Sequence, residues 1–285
     1  MKNNKAYLTV KDYSVSGELF QLLYNEELDL LETSPRPSSE DLGKYYNTED
    51  YISHTDSKRN LFEKVYHLVR ATTLKRKRKL INSFKTEEKK LLDVGCGTGD
   101  FLSLCKQNEW QVVGIEPNVD ARNIANQKVN SNIYDIDRLE AFEQNSFDVI
   151  TLWHVLEHLP NLEAHLLIFK RLLKPNGKLV IAVPNYKSFD AAYYKEFWAA
   201  YDVPRHLWHF SKKSINKLVS KEGLVVEKIL PMKYDAFYVS LLSEKYKKGF
   251  MNPLKAFWIG LRSNLKARGS GEYSSLIYII KKDQN

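Results

Sequence analysis

A glycine-rich segment and a carboxylate further along the chain carry the clearest chemistry in the sequence. Residues 93–99 read DVGCGTG, follow an apolar run and precede a helical pattern. Glycines in such a turn let backbone amides approach a ligand closely, at a helix N-terminus that favours negative charge. Glu116 ends the next apolar run, where a carboxylate can accept hydrogen bonds from both hydroxyls of a ribose. Together these features predict a site for a nucleoside-type ligand.

The spacing of the glycines distinguishes between nucleoside ligands. A dinucleotide fingerprint needs Gly-x-Gly-x-x-Gly or Ala, and the position that would complete it after Gly95 and Gly97 is Asp100. The spacing therefore argues against NAD and FAD.

A second group of chemically capable side chains lies in residues 185–211, an aromatic stretch longer than usual connections between elements. His206 is the candidate general base, with a structural hydrogen-bonded histidine as the alternative. Arg205 could clamp an anionic substrate bidentately. The spacing of Asp202, His206 and His209 fits no standard metal site, so we predict no metal. The predicted substrate-binding residues are Tyr201, Arg205, His206 and Trp208.

The elements that must position these residues alternate between apolar strands and amphipathic helices. This alternation implies parallel strands with right-handed crossovers, and hence a layered α/β domain. The strands are predicted at 90–94, 110–115, 132–134, 147–152, 178–183, 224–230 and 275–280, and helices lie between them at 100–108, 120–128, 161–173 and 214–222.

Composition restricts the class of protein. The chain has 285 residues and a formal net charge of +8, with ordinary hydrophobic and charged fractions that exclude collagen, coiled coil and wholesale disorder. Two cysteines cannot build a disulfide framework, and no signal peptide or membrane-spanning run is evident, so we predict a cytoplasmic protein. The basic run 75–79 lies in a helical pattern and is interpreted as a solvated helix face rather than a nucleic-acid patch.

Several segments resemble class I S-adenosylmethionine-dependent methyltransferases. Residues 91–99 resemble motif I of that family, Glu116 matches its ribose-binding acid, and residues 172–179 match the turn before its fifth strand. Residues 147–159 are similar to the fourth strand of the subgroup that includes ubiquinone-biosynthesis O-methyltransferases. The resemblance implies a Rossmann-like, seven-stranded, mostly parallel sheet with an antiparallel last strand and helices on both faces.

The resemblance also implies roles for single residues, with S-adenosyl-L-methionine as the cofactor. Asp93 would lie near the ammonium of the cofactor, Glu116 would hold its ribose, and Asp135, with Asp137 as a rival, would receive the adenine amine. Trp153 and His154 would line the wall between cofactor and substrate. The predicted cofactor-binding set is Asp93, Gly95, Cys96, Gly97, Glu116, Pro117, Asp135, Ile136, Trp153 and His154.

The resemblance divides the chain into an appendage, residues 1–55, and a methyltransferase domain, residues 56–285. Relatives in this branch carry a cysteine-bearing knuckle, but the matching positions here include Lys11 and residues 24–27, without cysteine. The appendage is therefore predicted to be a degenerate, metal-free knuckle held by packing. Its residues Tyr45, Tyr46 and His54 could reach over the cofactor or serve only in packing.

The methyltransferase domain carries two additions, a lid at 185–211 and a helical insertion at 234–268. The insertion mixes aromatic and basic residues. Such a hairpin can contact a membrane surface transiently, roof the sheet or form a dimer contact. A monomer and a homodimer both remain open.

These observations predict methyl transfer to a small-molecule acceptor, preferentially on oxygen, with His206 and His154 as the catalytic candidates. An RNA methyltransferase is the alternative enzyme, although the predicted fourth strand ends in LWHV and lacks the Asn/Asp-Pro-Pro-Tyr/Phe motif. A cofactor-binding scaffold without catalysis is the alternative from another class. We expect the acceptor to be hydrophobic or polyketide-, quinone- or glycan-like.

Overall fold

The computed structural model describes residues 4–38, 41, 43–45, 61–130 and 132–283, without the side chains of residue 4 and residues 61–67. The strands are β1 (Asn4–Lys11), β2 (Leu19–Asn25), β3 (Leu30–Ser34), β4 (Lys90–Val94), β5 (Gln111–Ile115), β6 (Ile133–Tyr134), β7 (Phe147–Trp153), β8 (Leu173–Pro184), β9 (Trp208–His209), β10 (Leu224–Pro231) and β11 (Ser275–Lys282). The α-helices are α1 (Leu61–Asn82), α2 (Asp100–Lys106), α3 (Val119–Val129), α4 (Arg138–Ala141), α5 (Leu162–Leu172), α6 (Phe189–Tyr194), α7 (Lys212–Lys221), α8 (Asp235–Lys248) and α9 (Pro253–Ser270).

Seven strands form one sheet in the order β10-β11-β8-β7-β4-β5-β6. β11 pairs antiparallel with both of its neighbours, whereas β8, β7, β4, β5 and β6 pair in parallel. The central strands are apolar on both faces, and Leu92, Ile150 and Val180 are fully buried, as a sheet covered by helices on each side requires. The predicted seven-stranded α/β fold with an antiparallel last strand is confirmed.

One boundary differs from the prediction. The sequence places a turn at residues 175–177 before a strand at 178–183, whereas β8 begins at Leu173 and continues through that segment. Its pairing with β7 shifts register between Phe147 and Val149, so the extra residues form an irregularity inside the strand.

The helices that cover the sheet begin where the sequence offers a cap. Asn161 accepts a hydrogen bond from the backbone of Ala164 at the start of α5, an arrangement worth about 1 kcal/mol. The buried face of α5 is apolar at intervals of three and four residues and packs into the main core, through Leu162, Leu166, Phe169 and Leu172.

From β4 the chain first adds β5 and β6 on one side of the sheet, and then returns to add β7 and β8 on the other side of β4. The strand order therefore reverses at the boundary between β4 and β7. Open α/β sheets bind ligands at such a switch point, outside the carboxyl ends of the strands. The loops after β4, β5 and β7 meet at this edge, which brings the glycine loop, Glu116 and His154 to one side of the sheet.

The N-terminal residues form a second sheet with the order β1-β2-β3-β9. Its fourth strand comes from the predicted lid, because His209 and Trp208 pair antiparallel with Leu31 and Glu32 of β3. Aromatic lid residues, including Trp198, pack with apolar residues of this sheet in one buried cluster. The sequence prediction separates the appendage from the lid, whereas the described residues of both form a single packed unit.

The turn after β1 occupies the position of the predicted knuckle. The buried Asp12 carboxylate accepts hydrogen bonds from the backbone of Ser14 (2.8 Å), Val15 (3.1 Å) and Ser16 (2.8 Å), and from the Ser16 hydroxyl (2.9 Å). Hydrogen bonds to one carboxylate therefore hold this turn, together with the packing that the sequence predicts.

Candidate active site

The glycine loop is tied to β5 and borders open space. The backbone amides of Gly95 and Cys96 both donate to the carbonyl of Ile115, at 2.7 and 3.0 Å. A Cβ added at Gly97, where φ is +55°, would meet no atom within 4 Å. A Cβ at Gly95 would lie 2.4 Å from the Val155 side chain. Gly97 thus leaves a cradle that a side chain would fill, whereas Gly95 allows the segment after β7 to pack closely.

Glu116 lies buried at the floor of this cradle. One carboxylate oxygen accepts from the Gly97 amide at 2.8 Å, and the other accepts from the Asn118 amide at 3.0 Å. Burial raises the pKa of Glu116, and the two amide bonds oppose that rise. Each carboxylate oxygen has further acceptor capacity, so the group can still receive a pair of hydroxyls.

Asp93 lies at the end of β4 and is buried. It accepts a hydrogen bond from the Thr151 hydroxyl of β7 at 2.6 Å. Burial raises the pKa of Asp93 to about 7, although Thr151 and the Lys77 ammonium act in the opposite direction. A cationic ligand group beside this carboxylate would favour its ionised form.

Lys77 is a site residue that the sequence interpretation misses. Its ammonium lies 4.4 Å from the centre of the Trp153 ring, and burial lowers its pKa to about 8 despite the nearby Asp93. The solvated face predicted for the basic run holds for its exposed members Lys75, Arg76 and Lys79 but not for Lys77. Its spacing from the buried Ile81 and the half-buried Leu74, four and three residues away, is the signal that places it on the inner face of α1.

Cys96 and Pro117, both predicted to bind cofactor, contribute their backbones to the loop framework. The Cys96 side chain is buried in the core cluster behind the loop with Leu102 and Ile133, and burial raises the pKa of its thiol. The Pro117 carbonyl accepts a hydrogen bond from Arg122 at 2.9 Å.

Asp135 and Ile136 lie beyond β6, at the same edge of the sheet. The half-exposed Asp135 carboxylate pairs with Arg122 at 3.1 Å and accepts from the Ile136 amide at 2.6 Å. Asp137, the rival for the adenine contact, is exposed and precedes α4. Both acids therefore remain accessible to a ligand at this end of the crevice.

Trp153 and His154 follow β7 at the middle of the same edge. The Trp153 ring packs edge-on against Phe101, and its buried Nε1 has no hydrogen-bond partner among the described residues. His154 has a φ of +59°, and its ring lies 3.1 Å from Asp235 and 3.4 Å from Glu157. These two carboxylates raise the pKa of His154 to about 9 in spite of its burial, so the ring is a cation at neutral pH.

His206 is a buried residue of the lid. Its Nδ1 lies 3.0 Å from the Ala200 carbonyl. A carbonyl can only accept, so Nδ1 carries the hydrogen and Nε2 of the neutral ring carries the lone pair. That nitrogen lies 3.7 Å from an Asp202 oxygen. Because His154 already carries a proton, His206 is the better placed of the two predicted bases.

Three side chains around His206 could share a metal ion. One ligand atom each from Glu157, His158 and His206 lie within 4.8 Å of one another. The Nδ1 of His158 lies 3.0 Å from the Arg205 carbonyl, and both Glu157 oxygens are buried without a hydrogen bond among the described residues. This trio differs from the one considered in the sequence, whose His209 instead contacts the Thr33 hydroxyl at 3.1 Å.

The other predicted substrate residues hold the lid in place. The Arg205 guanidinium pairs with both oxygens of Asp202 and donates to the Ser14 hydroxyl at 3.0 Å, so its Nε and Nη2 donors are already engaged. Tyr201 is buried against Trp198, with ring centres 4.9 Å apart. Trp208 donates from Nε1 to the Leu159 carbonyl at 2.8 Å. Substrate contact by these residues stays a prediction.

Only one of the appendage residues predicted to reach over the cofactor is described. Tyr45 donates to Glu18 at 2.9 Å and packs edge-on against Phe20, so it faces the N-terminal sheet. Tyr46 and His54 lie outside the described residues.

Comparison with known proteins agrees with this arrangement. A family model described as a methyltransferase domain matches residues 62–229, which is more than half of the chain, so the chain belongs to that family. The ubiquinone biosynthesis O-methyltransferase of Rhodopseudomonas palustris is 32% identical over 130 residues, covering 42% of this chain and 51% of that protein. Its counterpart in Nitrosospira multiformis is 26% identical over 160 residues, covering 52% of this chain and 67% of that protein. The chain spans about half to two thirds of the length of these relatives.

Solved structures share the fold over most of the chain. Magnesium protoporphyrin IX methyltransferase from Synechocystis, with bound S-adenosylhomocysteine, superimposes with a TM-score of 0.57 at 14% identity and covers 86% of this chain and 100% of that one. The [4+2]-cyclase SpnF superimposes with a TM-score of 0.55 at 16% identity and covers 88% and 99% of the two chains. The cofactor of this chain is S-adenosylmethionine, as predicted. The fold alone does not fix the reaction.

Proposed function

We propose that this protein transfers the methyl group of S-adenosylmethionine to a hydroxyl oxygen of a small-molecule acceptor. The observation that carries the proposal is the hydrogen bond from Nδ1 of His206 to the Ala200 carbonyl, which leaves Nε2 as the ring nitrogen that can accept a proton. Similarity to ubiquinone biosynthesis O-methyltransferases supports oxygen as the target atom.

The residues of the crevice fit the parts of the cofactor. Glu116 is preorganised by two backbone amides to receive the ribose hydroxyls, and the cradle at Gly97 leaves room for the chain of the cofactor. Asp93 and Lys77 offer a carboxylate and an ammonium to the oppositely charged ends of its amino-acid portion. The ring of Trp153 presents an aromatic face, which stabilises a cation.

The bound cofactor supplies an electrophilic methyl group, and the protein supplies position and a proton acceptor. The acceptor oxygen would take up that methyl group, and the electron pair of the broken carbon–sulfur bond would leave with the sulfur. The hydroxyl proton passes to Nε2 of His206, which becomes an imidazolium. The buried Glu157 carboxylate and the partly buried Asp202 carboxylate lie close enough to stabilise that new charge. Lid aromatics would exclude water from the reacting atoms.

The test is product identification with isotopically labelled cofactor. The purified protein is incubated with methyl-labelled S-adenosylmethionine and a metabolite extract, and labelled products are separated by mass spectrometry. A labelled ether or ester of a small molecule supports the proposal. Label in RNA would support the alternative enzyme, and cofactor binding without any labelled product would support the scaffold.

A further inference from the structure

The helical insertion presents an apolar surface that no described element covers. Its two helices, α8 and α9, pack closely because Gly260 lets the backbone of α9 approach that of α8, and a Cβ added at Gly260 would lie only 3.0 Å from the Ala236 carbonyl oxygen. The inner face of α9 consists of small or medium side chains that are buried: Ala256, Ile259, Gly260, Ser263 and Ala267. The inner face of α9 therefore packs on α8, and the opposite face of α9 faces solvent.

That opposite face is apolar as well. Leu254 and Trp258 are 78% and 64% exposed, and they recur at helical spacing with further apolar residues. We call this surface the insertion tip; its exposed apolar residues are Phe250, Met251, Leu254, Phe257, Trp258 and Leu265. These residues lie within 16 positions of one another along the chain, whereas other exposed apolar residues are scattered and need no partner.

The charge around the insertion tip is predominantly positive. Residues 233–270 contain eight basic and two acidic side chains, and this excess accounts for most of the formal net charge of the whole chain. One of the acids, Glu244, is buried and paired with Lys255 at 3.3 Å. Lys245, Lys247 and Lys248 are exposed just before the loop that carries Phe250. Large apolar residues flanked by lysines form the pattern of a surface that enters an anionic lipid interface.

We propose that the insertion tip docks on the surface of an anionic membrane. Leucine, phenylalanine and tryptophan would enter the region between headgroups and acyl chains, and the flanking lysines would face lipid phosphates. A second copy of the chain is the competing occupant. A two-fold contact would bring the basic flanks of both copies together, and such like-charge juxtaposition disfavours association. Net positive charge and exposed tryptophan both favour the lipid surface.

The docking surface is joined to the lid. Ser263 of α9 donates to the buried Asp190 of α6 at 2.6 Å, and Ser243 of α8 accepts from the Ala199 amide at 2.9 Å. Docking would therefore hold the lid near the bilayer, where a lipid-soluble acceptor resides. The docking proposal itself stands on exposure and charge and does not depend on methyl transfer.

The test is co-flotation of the purified full chain with vesicles, without cofactor or acceptor. Vesicles of phosphatidylcholine with about 30% phosphatidylglycerol are compared with pure phosphatidylcholine, and binding is expected to the anionic vesicles and to fall with added salt. The Leu254→Glu/Trp258→Glu variant is expected to bind at least about tenfold more weakly, because two apolar anchors are lost. Lys245→Glu/Lys248→Glu is expected to reduce binding by about tenfold or more.

Matched controls separate the insertion tip from general effects. Leu167→Glu replaces a leucine of α5 that is 51% exposed, and Lys75→Glu/Lys85→Glu makes the same change in net charge elsewhere. Both should bind like the parent protein, and melting curves should show that all variants fold. Equal binding by the tip variants and the controls overturns the proposal, as does failure of the parent to float. A dimer in sedimentation velocity that Leu254→Glu/Trp258→Glu dissociates would assign the surface to a second copy instead.

Discussion

The two halves of the candidate active site are assembled in different ways. The cofactor half comes from one stretch of chain, since Lys77, Asp93, Glu116 and Asp135 follow each other through consecutive strands and helices. The acceptor half joins distant segments: Glu157 after β7, His206 in the lid and Ser14 in the N-terminal sheet. Local chain geometry builds the first half, whereas tertiary packing builds the second. Substitutions in the two halves should therefore fail in different ways.

The largest effect is expected at the glycine cradle. Gly97→Arg would place a side chain in the open space where we propose that the cofactor binds, so we expect binding of S-adenosylmethionine to become undetectable by calorimetry. Gly249→Arg is the matched control, because Gly249 also has a positive φ and open space around its Cβ position. An unchanged affinity of Gly97→Arg for S-adenosylmethionine would show that the cofactor does not bind in this crevice.

The acceptor half should fail in turnover rather than in cofactor binding. His206→Gln removes the proposed base, so kcat is expected to fall by about 10²- to 10⁴-fold while the affinity for cofactor stays the same. His165→Gln, on α5, is the control. A drop in cofactor affinity with unchanged kcat would contradict the division into two halves.

The same histidine allows a test with metal ions. Zinc bound by Glu157, His158 and His206 would occupy the lone pair that the base needs. We expect added zinc to inhibit methyl transfer and a chelator to restore it. If turnover instead requires a divalent ion and is lost when the chelator is added, these three residues bind a catalytic metal and His206 is not the general base.

Glu116 should show a smaller effect, confined to cofactor affinity. Glu116→Ala removes charge-assisted hydrogen bonds to the ribose, and we expect binding to weaken by about 1–3 kcal/mol. Glu140→Ala, an exposed glutamate on α4, is the control. Isothermal calorimetry measures both, and equal affinities for the two variants would contradict the ribose contact.

The pH dependence of binding should report Asp93. Its carboxyl has a pKa of about 7 without ligand, and only the ionised form attracts an ammonium. Affinity for the cofactor is therefore expected to rise as the pH increases from about 5.5 to about 7.5, and to fall again above about pH 8 as the Lys77 ammonium loses its proton. Asp93→Asn should bind more weakly and lose the rise between pH 5.5 and 7.5, and a wild-type affinity without that rise would contradict the assignment.

The smallest effect is expected on stability at His154. Its pKa is raised to about 9 in the folded state, above the ordinary value of 6.5, so its ion pairs stabilise the fold fully below that ordinary value. This stabilisation is lost as the pH rises through about 9. The difference in Tm between the parent and His154→Gln should therefore be larger near pH 6 than near pH 10, and a difference that grows with pH would contradict the ion pairing.

The difference between the two halves of the site also explains which structural features can be predicted from the sequence and which cannot. Glycines at fixed spacing and an acid at the end of the next strand are local signals, so the sheet and the meeting of the glycine loop with Glu116 can be predicted. The cofactor contacts of these residues stay a prediction. The contact between Arg205 and Ser14 cannot be predicted, because the two residues lie 191 positions apart and no periodicity connects them. The prediction for Lys77 is wrong because its neighbours in the run are charged, although its own position lies on the inner face of α1.

The pairing of β3 with β9 ties the lid to the beginning of the chain. Thr33 strengthens that junction, since its amide donates to the Leu207 carbonyl at 3.0 Å and its hydroxyl donates to the His206 carbonyl at 2.6 Å. If the lid moves to admit an acceptor, either the three N-terminal strands must move with it or the hydrogen bonds between β3 and β9 must break first. A protein shortened to begin at α1 would leave the lid strand without its neighbour, so the N-terminal strands are part of the structural unit that holds His206 in position.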